Sequence, residues 1–498
     1  MKVLLINPSV TIFPGGTNPR VFMPLGLLSI AAQLEKNGHE VIVFDSLLKA
    51  IFFHHDGDKY FGTPWDDIVT YVQKINPDIV GIPVMFSSQS PNSKKLAKLV
   101  KNINKDILTI VGGAHASACY QDMLADPDIN FVVVGEGELV FCELLDALEN
   151  KKDLTLIQGL VTRYRDVLVN NFTPKAIINL DDLPLPAYHL YDLKRYFYLQ
   201  NNGYCARPIS YGKREISIVT SRGCPHNCIF CSIHPVMGKK WRAHSPGYVV
   251  RHIQHLQSKY DVDLVHFEDD NFSLDRNRFS EILDLLAIQE KKIMWDPPNG
   301  LRADSLDLPI LEKAKRTGCQ YVVIAIESGV QRVLDEVIDK KMKLQKIIDV
   351  AKICQKINIE LYAYYVIGLP GETWREVKQT LDFALKMLIK YFVYPQIATA
   401  SPVFGSRLYQ VCKNGGYLDR EVTPQSLGVA YDVTGLSLIK TSEFTPYKLK
   451  HILKQYNMVY FGLVFVNILR QPGRLWNYFK ILGRNRYLLR KLVFAKRQ

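Results

Sequence analysis

The sequence predicts an α/β protein built from two parallel-sheet units. A doubly wound, Rossmann-like sheet occupies residues 1–150, a linker 151–205, a strand-and-helix barrel 206–400, and a small, mostly helical, basic region 401–498. Three observations lead there. Short β-branched apolar runs alternate with amphipathic segments in two separate series, the pattern of parallel strands covered by helices on both faces. The loops that follow the runs are Gly-rich, polar or acidic, as ligand-binding loops at the carboxyl ends of parallel strands are. Three cysteines, Cys224, Cys228 and Cys231, stand at C-x3-C-x2-C directly after the strand that opens the second series.

In the first series, apolar runs predict strands at 3–6, 40–45, 79–85, 108–111 and 131–134. Helical periodicity falls at 24–38, closed by Gly38, and at 65–75, 94–103, 121–124 and 139–148. Residues 52–64 read as a looser insertion. The strand ends carry Asn7-Pro-Ser9, Phe86-Ser-Ser-Gln89, Gly112-Gly-Ala-His-Ala-Ser117 and Gly135-Glu-Gly-Glu138. Glycines let a large flat ligand approach the backbone, and hydroxyls offer hydrogen bonds. A nucleotide or a receiver-type switch would use the same fold, but no G-x-G-x-x-G follows the first strand.

Asp181-Asp-Leu-Pro-Leu-Pro-Ala187 and the aromatic run at 188–198 read as a linker that packs across a domain junction. The second series then opens with a strand at 215–220, running into the cysteines. Its later strand ends are polar: Glu268, Asp269 and Asp270; Pro297-Pro-Asn-Gly300; Glu327-Ser328; and Gly368-Leu-Pro-Gly-Glu372. In a parallel barrel such ends share one mouth. Each acid taken singly has an ordinary alternative, capping the helix that follows it.

Three thiolates within eight residues suit an iron–sulfur cubane with one iron left open. Structural zinc is the competing reading and needs a fourth ligand, His226 or His234. Disulfides do not fit an odd total of nine cysteines without a signal-peptide layout. The remaining six cysteines are scattered singly and read as small buried hydrophobes.

With Phe230 ahead of the third cysteine, the triplet resembles the signature of the radical S-adenosylmethionine (radical SAM) superfamily. Pro24-Leu-Gly-Leu27, Gly112-Gly-Ala-His-Ala116 and Gly135-Glu-Gly-Glu138 resemble the cobalamin-binding domain that precedes the barrel in one subfamily. Together they cover roughly residues 1–400. The resemblance implies a partial (β/α)6 radical SAM barrel and three cofactors: a 4Fe–4S cluster on Cys224, Cys228 and Cys231, S-adenosylmethionine on its open iron, and cobalamin. It places cobalamin contacts at Ser87, Ser88, Gly112, Gly113, His115, Gly135, Glu136 and Gly137. It places S-adenosylmethionine contacts at Phe230, Glu327, Ser328 and Gly368, and names no catalytic acid or base. No Asp-x-His-x-x-Gly occurs, so no histidine is expected beneath cobalt, and His115 equally suits a loop cap. The implied reaction is C-methylation of an unactivated carbon. Radical cyclisation or oxidation is the alternative, and a cluster- and corrinoid-binding sensor the alternative from another class.

An apolar fraction of 47% with 22% charged residues belongs to a folded, soluble chain, long enough at 498 residues for two or three domains. No run approaches the roughly 20 apolar residues of a membrane span, and the N-terminus predicts a cytoplasmic protein. The net charge of +13 is concentrated: 446–498 hold twelve Lys or Arg and no Asp or Glu. The apolar stretch 458–469, followed by cations interleaved with aromatics from Arg470 to Arg497, predicts peripheral association with a membrane surface. A helix packed on the barrel is the alternative. No reader motif supports nucleic-acid binding. The expected partners are a small-molecule or lipid-like substrate and an external one-electron reductant.

Overall fold

The computed structural model describes residues 1–16, 19–163, 169–205, 207, 211–431 and 435–470. The N-terminal sheet is assembled from β1 (Lys2–Asn7), β2 (Glu40–Asp45), β3 (Ile79–Pro83), β4 (Leu108–Gly112), β5 (Phe131–Val133), β6 (Leu160–Thr162) and β7 (Val169–Asn170), in the order β7-β6-β5-β4-β3-β1-β2. The first five strands are parallel. Strand alternation sends Val3 and Leu5 to one face, against helices Leu25–Lys36 and Gly137–Glu149, and Leu4 and Ile6 to the other, against Trp65–Ile75 and Ser90–Ile103. Because the winding reverses between β1 and β3, the loops after these two strands diverge and leave a crevice.

Two segments depart from the expectation. Residues 52–64 are ordered: Ile51–His55 and Asp58–Gly62 form a hairpin, extended by Val10–Thr11. Its two-residue turn is Asp56-Gly57, with φ of 50° and 82°. Asp-Gly between alternating residues is a strong hairpin signal, so this element was legible in the sequence. The span read as a linker from 151 is also corrected at its start, since β6 continues the sheet antiparallel to β5 and β7 pairs antiparallel with β6. Three consecutive buried residues, Leu160 to Thr162, show no alternation to announce a strand. Beyond them the segment bridges the two units: Tyr191 Oη donates to Asp45 Oδ2 at 2.8 Å and Tyr188 Oη lies 2.9 Å from His252 Nε2. Burial raises the Asp45 pKa to about 6, less than it would without bonds from Tyr191 and Asn7.

The second unit holds β8 (Glu215–Ile218), β9 (Leu264–Phe267), β10 (Met294–Asp296), β11 (Tyr321–Glu327), β12 (Glu360–Ile367) and β13 (Val393–Thr399). β8-β9-β10 and β11-β12-β13 are parallel triplets, joined by parallel bridges Trp295↔Cys319 and Leu301↔Ile324. Six strands in chain order make the expected partial barrel. Four of its outer helices start at side-chain caps, Ser245, Asp275, Asp307 and Thr373, each bonding a backbone N–H of the first turn.

On the inner side of β9, His266 is clasped between Asp296 (2.8 Å) and Glu215 (3.3 Å), all three buried. Burial alone would depress the imidazolium, but Asp296 and Glu215 outweigh it and raise its pKa to about 10. A group raised in the folded state stabilises fully below its unfolded pKa, near 6.5, and loses that contribution as pH rises through about 10. His266→Gln is therefore expected to lower stability by about 3–5 kcal/mol at neutral pH, the cost of breaking a buried ion pair. The wild-type Tm should fall between pH 7.5 and 10 while the variant's stays flatter; parallel profiles refute the assignment.

The described part of the C-terminal region carries the helices Arg407–Asn414, Pro424–Val429 and Pro446–Arg470. The apolar stretch 458–469 lies within the last helix. Leu449, Tyr456 and Asn467 are buried on its inner face, and Asn467 Nδ2 donates to Leu388 O at 3.1 Å. The cations from Arg474 to Arg497 lie outside the described residues. Among the described residues no helix is long and apolar enough to cross a membrane.

Candidate active site

The loops after β3, β4 and β5, where corrinoid contacts are expected from the sequence, lie against one another. After β3 the chain turns through Ser87–Gln89, with Gln89 Oε1 accepting from the N–H groups of Met85 and Phe86, both at 3.1 Å. Ser87 Oγ lies 3.0 Å from His115 Nδ1, across from the helix Ala114–Ala118 that follows β4. His115 is buried and its Nε2 has no partner among the described residues. Burial lowers its pKa to about 4, so the ring is neutral and keeps one nitrogen for a ligand. Gly113 sits at φ +109°, and a Cβ there would stand 2.9 Å from Val84 O, so backbone presses on backbone at that point. The roof comes from the C-terminal region: Phe404 sets its ring edge-on to His115 (5.7 Å), and Gly428 packs over Ser88. Phe404 was not picked out from the sequence; only the fold brings it here.

Gly135 and Gly137 follow β5 in the same rim, with Gly135 N–H donating to Ser117 Oγ at 3.0 Å. Glu136, expected as a corrinoid contact, has both carboxylate oxygens on arginines. Its carboxylate meets Arg222 at 2.9 Å and Arg242 at 2.5 Å, while Glu138 meets Arg222 at 2.6 Å.

The cysteine loop leaves β8 and is held by the acids that end β9. Asp269 accepts from Thr220 Oγ1 (2.7 Å) and Ser221 Oγ (2.5 Å), and Asp270 from Gly223 N–H (2.9 Å). These acids therefore do not cap the next helix; Asp275 does. Asn271 Nδ2 lies 3.8 Å from Cys224 Sγ, and His234 Nε2 3.0 Å from Cys224 O, which commits that histidine to backbone. Burial raises the Cys228 thiol pKa, and that of Cys231 to about 11. Iron must then displace thiol protons as it binds. Among the described residues no three His, Cys, Asp or Glu groups converge on a single ion.

Across the mouth, Glu327 ends β11 at φ +69° and pairs with buried Lys340 at 3.0 Å. Lys340 was not anticipated. It neighbours Cys228 through Ile338, whose carbonyl accepts from Ile229 N–H at 2.9 Å. Ser328 spends its hydroxyl within the fold, on Thr380 Oγ1 (2.9 Å) and Val330 N–H (3.2 Å). Gly368, at φ +84°, is needed where Leu449 of the last helix would meet a Cβ at 2.6 Å. Phe230 is half-buried against the barrel core.

This donor set fits the implied groups: three thiols on one loop, a buried Lys–Glu pair beside them, and a glycine-lined crevice holding one unpartnered imidazole nitrogen. The B12 binding domain family matches residues 7–145, and the Radical SAM superfamily residues 218–384. Cytidylyl-2-hydroxyethylphosphonate methyltransferase of Streptomyces wedmorensis is 32% identical over 452 residues, 84% of this chain and 83% of that one. The chain belongs to the cobalamin-dependent radical SAM enzymes. Its cofactors are a 4Fe–4S cluster, S-adenosylmethionine and cobalamin. Another relative, anaerobic magnesium-protoporphyrin IX monomethyl ester cyclase of Synechocystis, is 27% identical over 78% of this chain and 73% of its own. In fold, this radical SAM enzyme resembles the methyltransferase TsrM of Kitasatospora setae, solved with cobalamin and a [4Fe-4S] cluster, at a TM-score of 0.63 and 16% identity over 83% of this chain and 75% of that one.

Proposed function

We propose that this enzyme methylates an unactivated carbon of a small-molecule substrate, with electrons from an external one-electron reductant. The observation that carries the reading is the direct contact between the cysteine loop and the corrinoid loops, through Arg222 with Glu136 and Glu138. When bound, the reduced cluster and S-adenosylmethionine supply a hydrogen-abstracting adenosyl radical, and cobalamin supplies the methyl group. The residues bind and place. Cys224, Cys228 and Cys231 would hold three irons; Lys340 and Glu327 set charge beside them. Gly113 and His115 would seat the corrinoid, and Phe404 shields that side from water.

The reconstituted enzyme, reduced anaerobically with dithionite, is expected to form 5'-deoxyadenosine. Given S-adenosylmethionine labelled in its methyl group and extracts of a deletion strain, it should move label into one product. Deoxyadenosine with an unlabelled, cyclised or oxidised product would favour the alternative chemistry. No deoxyadenosine at all would favour a sensor.

We further propose that the C-terminal region meets an anionic lipid surface, which would suit a lipid-like substrate. Opposite the packed face of helix Pro446–Arg470, Met458, Phe461 and Phe465 are 63–64% exposed. Spacings of three and four put these side chains on one face. Lys448, Lys450 and Lys454 precede them and nine Lys or Arg follow from 470 to 498, with no acid. Apolar insertion and cations at headgroups act together at such a surface, each cation contributing on the order of 1 kcal/mol. The full chain is expected to float with anionic vesicles at low salt and release as salt rises, and Phe461→Ser/Phe465→Ser to float several-fold less. Equal behaviour of both proteins removes the helix from the interaction.

A further inference from the structure

A line of contacts leaves the corrinoid-facing loops and ends on the cluster cysteines. Ser117, on the same short helix as His115, accepts from Gly135 N–H. The residues that follow, Glu136 and Glu138, close on the Arg222 guanidinium, and Ser29 Oγ donates to Glu138 at 2.7 Å. Arg222 stands two residues before Cys224, paired in a two-residue antiparallel ladder with Arg242, which also reaches Glu136 and the carbonyl of Met237. A second contact runs alongside. The turn His234–Met237 after Cys231 packs on helix Ala114–Ala118, and a Cβ on Gly135 would stand 3.3 Å from Val236 O.

The four charged side chains are 2–11% exposed, so none can turn to water when a partner is lost. Arg222 holds the Glu138 carboxyl below the usual range despite burial. Arg242 is anchored besides by Ile177 O at 2.7 Å. Such a chain has few ways to relax, and displacement at one end is felt at the other.

We propose that Arg222 is a positioning residue that couples the two cofactor sites. A corrinoid seated against Gly135 and Gly137 fixes Glu136 and Glu138; these fix the arginine that carries the cysteine loop, so each cofactor binds more tightly when the other is in place. Linkage makes the effect reciprocal. The inference rests on the cofactor reading above, and its test needs neither substrate nor turnover.

Dissociation constants for hydroxocobalamin are measured on the full chain, cluster-free and cluster-reconstituted. In the wild type the cluster is expected to tighten binding about tenfold. In Arg222→Gln the two constants should agree within about twofold, Arg222→Lys should keep part of the difference, and Glu138→Gln, which preserves volume, should flatten it too. Equal constants in the wild type overturn the coupling. So do Arg222→Gln and Glu138→Gln variants that weaken binding by one common factor in both states, since that is a merely structural loss. A wild type that binds no hydroxocobalamin in either state refutes the cofactor reading itself.

Discussion

Alanine at Cys224, Cys228 or Cys231 is expected to reduce deoxyadenosine formation to background and to bleach the brown cluster absorbance. Two thiolates leave a second iron unliganded, and the cubane then exchanges with solvent. The loop around them is held by other means, since Asp269 and Asp270 bond Thr220, Ser221 and Gly223. The protein should therefore stay folded without its cluster, with a near-wild-type circular dichroism spectrum. Alanine at Cys354, buried in the barrel core, removes one small apolar group and should cost on the order of 1 kcal/mol with the absorbance intact. Loss of the cluster in that variant, or retention in Cys228→Ala, would falsify the ligand assignment.

Gly113→Val is expected to empty the corrinoid site. Valine at φ +109° is strained, at a cost of roughly 1–3 kcal/mol, and its Cβ would press on Val84 O at 2.9 Å and Met85 Sδ at 3.0 Å. Val84 cannot yield without moving its neighbours, because it bonds Gly112 O through its own N–H (2.7 Å) and accepts from His115 N–H (3.0 Å). The displaced groups are the ones that carry His115. Bound corrinoid per chain should fall about tenfold or more at a loss of roughly 1.4 kcal/mol or greater in affinity, while iron per chain holds near wild type. Gly462→Ala, where nothing lies within 4 Å of the new Cβ, is the control and should retain both. Equal corrinoid in Gly113→Val and the control would remove this loop from the site.

The sequence by itself determined what is written in short windows. Three cysteines within eight residues mark out the candidate cluster loop before any folding is considered, and strand runs with polar ends locate the two sheets and the shared mouth. The Asp56-Gly57 turn was legible in the same way and was passed over. Tertiary structure decided what depends on chain segments meeting. Arg222 finds Glu136 and Glu138 across 86 and 84 residues of chain. With Arg242, that encounter makes Glu136 an ion-pair partner of two arginines. Lys340 reaches Glu327 only because the loop after β11 folds back, and Ser328 and Gly368 meet Thr380 and Leu449 from distant helices. In the last helix the composition announces apolar and basic residues, but only packing against the barrel decides that Leu449 and Tyr456 are covered while Phe461 and Phe465 face outward. Periodicity and ligand spacing are local properties of a chain, whereas burial and charge pairing belong to surfaces that exist only after distant segments have closed on one another.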